Sequence, residues 1–173
     1  MSIAAEFLAE FEREAVITRR FLERLPADKL AWRPHEKSMT AGQLALHIAT
    51  VPGGVVSMAG ADTVPPPNFG APNPQPESVE QILKALEDSV AKVRQTLPTF
   101  TDDRMNATWR LVKDGRELMA MPRALVIRTI MLNHWIQHRG QFGVHLRLAG
   151  AKVPSSYGPS GDEPPDFLRR PSA

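Results

Sequence analysis

Apolar residues recur at three- and four-residue intervals in four separate stretches of the chain, and each recurrence predicts an amphipathic helix. Between residues 3 and 25, Ala4, Leu8, Phe11, Ala15, Leu22 and Leu25 keep helical spacing with charges between them, until Pro26 ends the run. After a polar linker, Thr40 and Gln43 stand where a capping box requires them, followed by Leu44, His47, Val51 and Val55 on one stripe. Pro52 lies inside that second run. It lacks an amide hydrogen and crowds the carbonyl of Ile48, so the helix is expected to kink or stop just beyond His47. Ser78 with Gln81 predicts a second capping box, opening a third helix whose face is Val79, Ile82, Leu83, Leu86, Val90, Val93 and Leu97, ending at Pro98. A fourth, long helix is expected from Pro122, suited to the first helical position, to Gly150, suited to the C-terminal stop.

The intervening segments break these periods. Residues 61–76 carry six prolines and read as a long crossing loop. β-prone residues on either side of Asp114-Gly115 predict a small hairpin or an irregular excursion. The Pro- and Gly-rich residues 151–173 read as a tail pinned to the helices and frayed at its end. Together these features predict an all-α four-helix bundle over a single domain, 1–173, with a long crossover loop and a C-terminal tail. In such bundles, sites are built from side chains on facing helices.

Composition narrows the chemistry. The 173 residues are enough to bury a core without staples, so a metal here would be functional rather than structural. With 21 basic and 19 acidic residues and a net charge of +2, nothing favours nucleic acid or an anionic membrane surface. The absence of cysteine excludes a protein thiol nucleophile, a cysteine zinc site and disulfides. Glu6, Glu10, Glu12 and Glu14 crowd the N-terminal stretch, and no segment reads as a membrane span. We therefore expect a soluble, unprocessed, cytoplasmic protein.

The fourth helix carries the chemical signal. Its stripe runs Ile127, Met131, His134, His138, Gln141, His145, Ala149, apolar at its start and polar in its middle. His134 and His138 are one turn apart, about 6 Å along the axis, so two rings can reach one ion. His47 occupies an equally apolar stripe on the second helix. Three converging imidazoles are costly to bury unless a shared divalent cation satisfies them. The bland alternative is three satisfied or exposed histidines, since H-x-x-x-H alone is a weak pattern. His145 lies about 10 Å along the axis from His138, too far to share the ion, and is assigned to the pocket wall, the metal surroundings or an interface. Gln141 can orient a ligand, Arg139 and Arg147 can hold an anion but read better as capping or solvated cations, and His35 reads as exposed or locally hydrogen-bonded.

Two blocks extend the comparison: DKLAWRPHEKSMTAGQLALHIA at 28–49 and NHWIQHRGQFGVHLRLAGAKVPSSYGPSGDE at 133–163. On these the chain resembles the DinB/YfiT-like metalloenzymes. The resemblance implies a four-helix bundle, commonly homodimeric, with a divalent metal on His47, His134 and His138, and it implies relatives that are thiol-dependent transferases or isomerases. His145, where many relatives are aromatic, and the paired glycines of VPGGVVS depart from the family pattern. Ile136 stands where an H-E-x-x-H peptidase has its glutamate, which argues against that chemistry. The expected protein is a metal-dependent enzyme using zinc, nickel, manganese or iron, with zinc or nickel favoured. It would act as a transferase on a small-molecule substrate with a low-molecular-weight thiol. A metal-dependent hydrolase, a non-catalytic metal-binding or stress-response protein, and a helical interaction module are the alternatives. Gly140 and Gly143 permit a close helix approach in a homodimer.

Overall fold

The computed structural model of the protein describes residues 1–68 and 70–168. Helix α1, Ile3–Leu22, is capped by the Ser2 hydroxyl and buries Ala4, Phe11, Ala15, Phe21 and Leu22. Helix α2, Ala41–Ala59, starts in the expected capping box, in which Gln43 N donates to Thr40 Oγ1 at 3.1 Å and Thr40 N donates to Gln43 Oε1 at 3.0 Å. Strand β1 is Thr63–Val64, and helix α3 is Val79–Thr96. The Ser78 hydroxyl accepts from Gln81 N, but the Gln81 side chain accepts from Glu77 N instead of completing a box. A short helix α4, Asp102–Asn106, leads into strands β2, Thr108–Lys113, and β3, Arg116–Pro122.

The last long stretch is continuous but not uniform. It begins as α5, Arg123–Val126, passes through a π-helical segment, Ile127–Asn133, and continues as α6, His134–Leu148. Its end follows the expected glycine stop: Gly150 takes φ 82°. Gly150 N donates to Arg147 O and Ala151 N to Leu146 O, which satisfies two orphan carbonyls of the last turn.

Strands qualify the all-α expectation: among the described residues the chain is mostly helical with one small three-stranded sheet, ordered β1-β2-β3. Asp114 and Gly115 both take positive φ, 51° and 75°, the conformation that a two-residue hairpin turn demands. β1 pairs parallel with the free edge of β2, through Thr63 with Arg110 and Val64 with Leu111. A two-residue pairing set by a distant segment leaves no periodicity to read. Arg123 locks this region to α2. Its buried guanidinium donates to Ala59 O at 2.6 Å, Arg104 O at 2.5 Å and Asp62 Oδ1 at 2.6 Å.

Helix α2 does not stop at Pro52, and the reason is non-local. The carbonyl of Ile48, which Pro52 cannot serve, accepts instead from the indole Nε1 of Trp135 at 2.8 Å. The next amide, Gly53 N, donates to Ser89 Oγ of α3 at 2.7 Å. A Cβ on Gly53 would stand 2.9 Å from that hydroxyl, so glycine is what lets α2 and α3 approach. Two side chains on other helices thus take over the bonds that the proline disrupts.

The C-terminal segment is tied down by ions. Arg139, read from sequence as solvated, is 2% exposed. Its guanidinium pairs with Glu14 at 2.6 Å, and donates to Thr18 Oγ1 at 3.1 Å and to the Tyr157 hydroxyl at 2.7 Å. Arg147 pairs with Asp162 and so serves the same segment. The residues expected to fray, 169–173, lie outside the described residues.

Candidate metal centre

His47 is carried by α2, His134 and His138 by α6, and the contact that brings the two helices into register lies between their immediate neighbours. Ile48 follows His47 and Trp135 follows His134, so the indole-to-carbonyl bond fixes the two histidine stripes opposite each other. Trp135 is fully buried and stacks on Phe11 of α1 at 5.1 Å, which anchors it from the other side. Pro52, by leaving Ile48 O without its helical donor, is what makes this register available.

The three imidazoles meet. Ring centroids lie 5.3 Å apart for His47 and His134, 4.8 Å for His47 and His138, and 4.5 Å for His134 and His138. One nitrogen from each ring falls within 4.8 Å of the other two. All three side chains are half-buried.

Hydrogen bonding decides what the rings present to one another. His134 Nδ1 faces Ile130 O at 3.2 Å, a carbonyl that can only accept, so Nδ1 carries the proton and Nε2 the lone pair. His138 Nδ1 likewise faces Gln141 Oε1 at 3.0 Å. With both Nδ1 atoms donating, the two Nε2 atoms meet at 2.8 Å as two lone pairs. Such a pair repels unless a cation or a proton lies between them. A divalent ion held by these nitrogens would supply that charge. The donor set therefore fits a divalent metal. It fits a shared proton less well, since protonation is disfavoured in this cluster: burial and the neighbouring imidazoles push His47 down to about 4, and burial followed by the charge of His138 lowers His134. Neutral imidazoles are the form that ligates.

The π-helical segment acts directly on this geometry. His134 N donates to Thr129 O, five residues back, so the turn before His134 is wider than an α-turn and rotates the following helix. No periodicity in the sequence signals it. Gln141, expected to orient a ligand, does contact His138. His145 stands outside the cluster: its ring is buried, Nδ1 lies 3.1 Å from Gln141 O, and its edge meets Trp32 at 6.1 Å. His35 is exposed and accepts from Lys37 N.

A cavity of about 590 Å³ opens directly on His47 and His134. It lies between α2, the π-helical segment, the Pro-rich loop and the hairpin. Sequence reasoning missed its walls, because Trp109, Leu111 and Met119 reach it only through the packing of the sheet on α2.

The sequence model of the DinB family matches residues 1–166. The chain belongs to the DinB family. It is similar to the uncharacterized protein YrdA of Bacillus subtilis, at 28% identity over 165 residues, covering 91% of this chain and 89% of YrdA. Among solved structures, a DinB-like protein from Bacillus cereus superposes with a TM-score of 0.68 at 27% identity, over 87% of this chain and 95% of that one. The DinB-like protein YjoA from Bacillus subtilis superposes with a TM-score of 0.66 at 18% identity, over 87% and 96%, which supports the fold alone. In this DinB-family chain no helix among the described residues is long and apolar enough to cross a membrane.

Proposed function

We propose that the chain is a divalent-metal-dependent, thiol-dependent transferase in which His47, His134 and His138 hold zinc or nickel, and that it joins the sulfur of an external low-molecular-weight thiol to an electrophilic small-molecule acceptor. The observation that carries this reading is the convergence of one ring nitrogen from each of His47, His134 and His138 within 4.8 Å of one another, with the Nε2 atoms of His134 and His138 2.8 Å apart. The four long helical stretches fit the four-helix bundle of the family, whose site lies between facing helices. Three neutral donors match the donor count of catalytic rather than structural sites.

The bound ion would supply the positive charge that lowers a thiol's pKa, so that a nucleophile exists at neutral pH. The chain's own residues prepare for this in other ways. It has no cysteine to supply sulfur. No carboxylate is among the cavity walls described, so no general base competes for that task. Ile130 O and Gln141 Oε1 lie against the two α6 Nδ1 atoms, which leaves both Nε2 atoms facing the cluster.

The test is a titration of the cobalt-substituted protein with glutathione, mycothiol, bacillithiol and coenzyme A. One of them should give a sulfur-to-metal charge-transfer band and consume an electrophilic acceptor. If none does, while activated esters or amides are cleaved at a rate lost in His134→Ala, the enzyme is a hydrolase.

A further inference from the structure

The two glycines of VPGGVVS do different work. Gly53 is spent on the α2–α3 contact with Ser89, whereas a Cβ on Gly54 would meet no atom within 4 Å. Gly54 lies seven residues after His47, so it shares that residue's angular position two turns further along α2. It lines the cavity that opens on His47 and His134. Helix interiors disfavour glycine by about 1 kcal/mol against alanine, and here no packing contact accounts for it.

The far wall of the cavity is apolar. Val55 and Met58 of α2 face Trp109, Leu111 and Met119 of the sheet, with Ile130 beside His134. Trp109 Nε1 donates to Met58 O at 3.3 Å, which holds sheet and helix together as a fixed wall. The rim is held as well: Gln43 Nε2 donates to Asn73 O at 2.9 Å, and Thr40 Oγ1 donates to Gln75 Oε1 at 2.7 Å, so both ends of the α2 capping box grip the Pro-rich loop. Among the described residues that line the cavity there is no Asp, Glu, Lys or Arg, and its titratable groups are the two histidines. The polar part of the lining, Thr50, Asn68 and Asn73 beside the two histidines, is uncharged, so a charged group entering the cavity would lose its water with no charged side chain to pair with.

We infer that this cavity is the binding site for the apolar body of an uncharged substrate, whose reactive end lies at the histidines, and that Gly54 is a specificity-determining residue that leaves room for it. This rests on the proposed function of the histidine site.

Binding of the neutral fluorophore N-phenyl-1-naphthylamine to the metal-loaded protein, and its displacement by 1-alkanols, tests this. Displacement should strengthen about fourfold per added methylene until the cavity is filled. The α,ω-diol of equal length, which forces a hydroxyl onto the far wall, should be at least tenfold weaker. Gly54→Phe should weaken the fluorophore at least tenfold with metal content unchanged, and Gly54→Ala should stay within about twofold. Met119→Glu, at a half-exposed strand position, should weaken it similarly if Gly54→Phe fails to fold. Unchanged affinity in the folded Gly54→Phe or Met119→Glu protein, or diols binding as well as alkanols, would overturn the assignment. Metal content measured on the same samples separates this outcome from failure of the metal reading, because the alkanol series reads the cavity whether or not an ion is bound.

Discussion

Two ring nitrogens 2.8 Å apart, each with its partner nitrogen already committed to an oxygen, are a demand for positive charge. At the scale of the residue, that demand depends on Gln141, whose Oε1 fixes the His138 tautomer. Gln141→Ala should weaken metal about 10- to 100-fold, measured by competition with a chelator, while leaving the fold intact. His47 adds a pH dependence to the metal-free protein. Its pKa of about 4 in the fold lies below the ordinary 6.5, so the unfolded chain takes up a proton that the folded chain refuses. Stability should therefore be full above about pH 6.5 and fall progressively toward pH 4, and denaturant midpoints in His47→Ala should show a shallower slope across that window. Arg139 acts through charge in the opposite sense, as a buried cation with a buried partner. Arg139→Ala should cost about 3–5 kcal/mol by denaturant unfolding, because it strands Glu14 beneath the C-terminal segment.

At the scale of the element, Pro52 and Trp135 form one device. A proline in mid-helix frees a carbonyl, an indole from α6 takes it, and the histidines on either side are brought face to face. Trp135→Phe keeps the stacking on Phe11 but leaves Ile48 O unsatisfied, and should cost about 1–3 kcal/mol in thermal or denaturant unfolding. It should also loosen metal binding, since the register of α2 against α6 relaxes. The helical stripes, the Thr40 box, the Asp114-Gly115 turn and the Gly150 stop were legible because their causes lie within a few residues of each other. So was the convergence of His134, His138 and His47, because helix spacing and apolar stripes reveal which faces meet. Whether α2 kinked or stopped at Pro52 was left open by the sequence, and its continuation was not legible, for its substitute partners, Trp135 and Ser89, sit on other helices. Arg139 was misread for the same reason: a cation beside glycine and glutamine looks solvated until Glu14 of α1 and Tyr157 close over it. The π-helical turn and strand β1 have no signal in the local sequence.

At the scale of the whole molecule, the family resemblance points to a homodimer, and the exposed face of α6 offers a surface for it. Val144 and Leu148 are 58% and 60% exposed and continue the line of Gly140, where a Cβ would meet nothing. Gly143, by contrast, packs inward against Phe21 and takes no part in that surface. We propose this face as the dimer contact. Light scattering at micromolar concentration should give about twice 19 kDa, and Val144→Glu should return the mass toward the monomer. A concentration-independent monomer mass for the unaltered chain would remove the dimer without touching the site. The site itself stands on metal stoichiometry. Untagged protein, reconstituted with zinc or nickel and passed through a desalting column, should carry about one ion per chain by elemental analysis, and His47→Ala, His134→Ala and His138→Ala should each lose it while His145→Ala keeps it. Full retention in two of the three ligand variants would contradict the account.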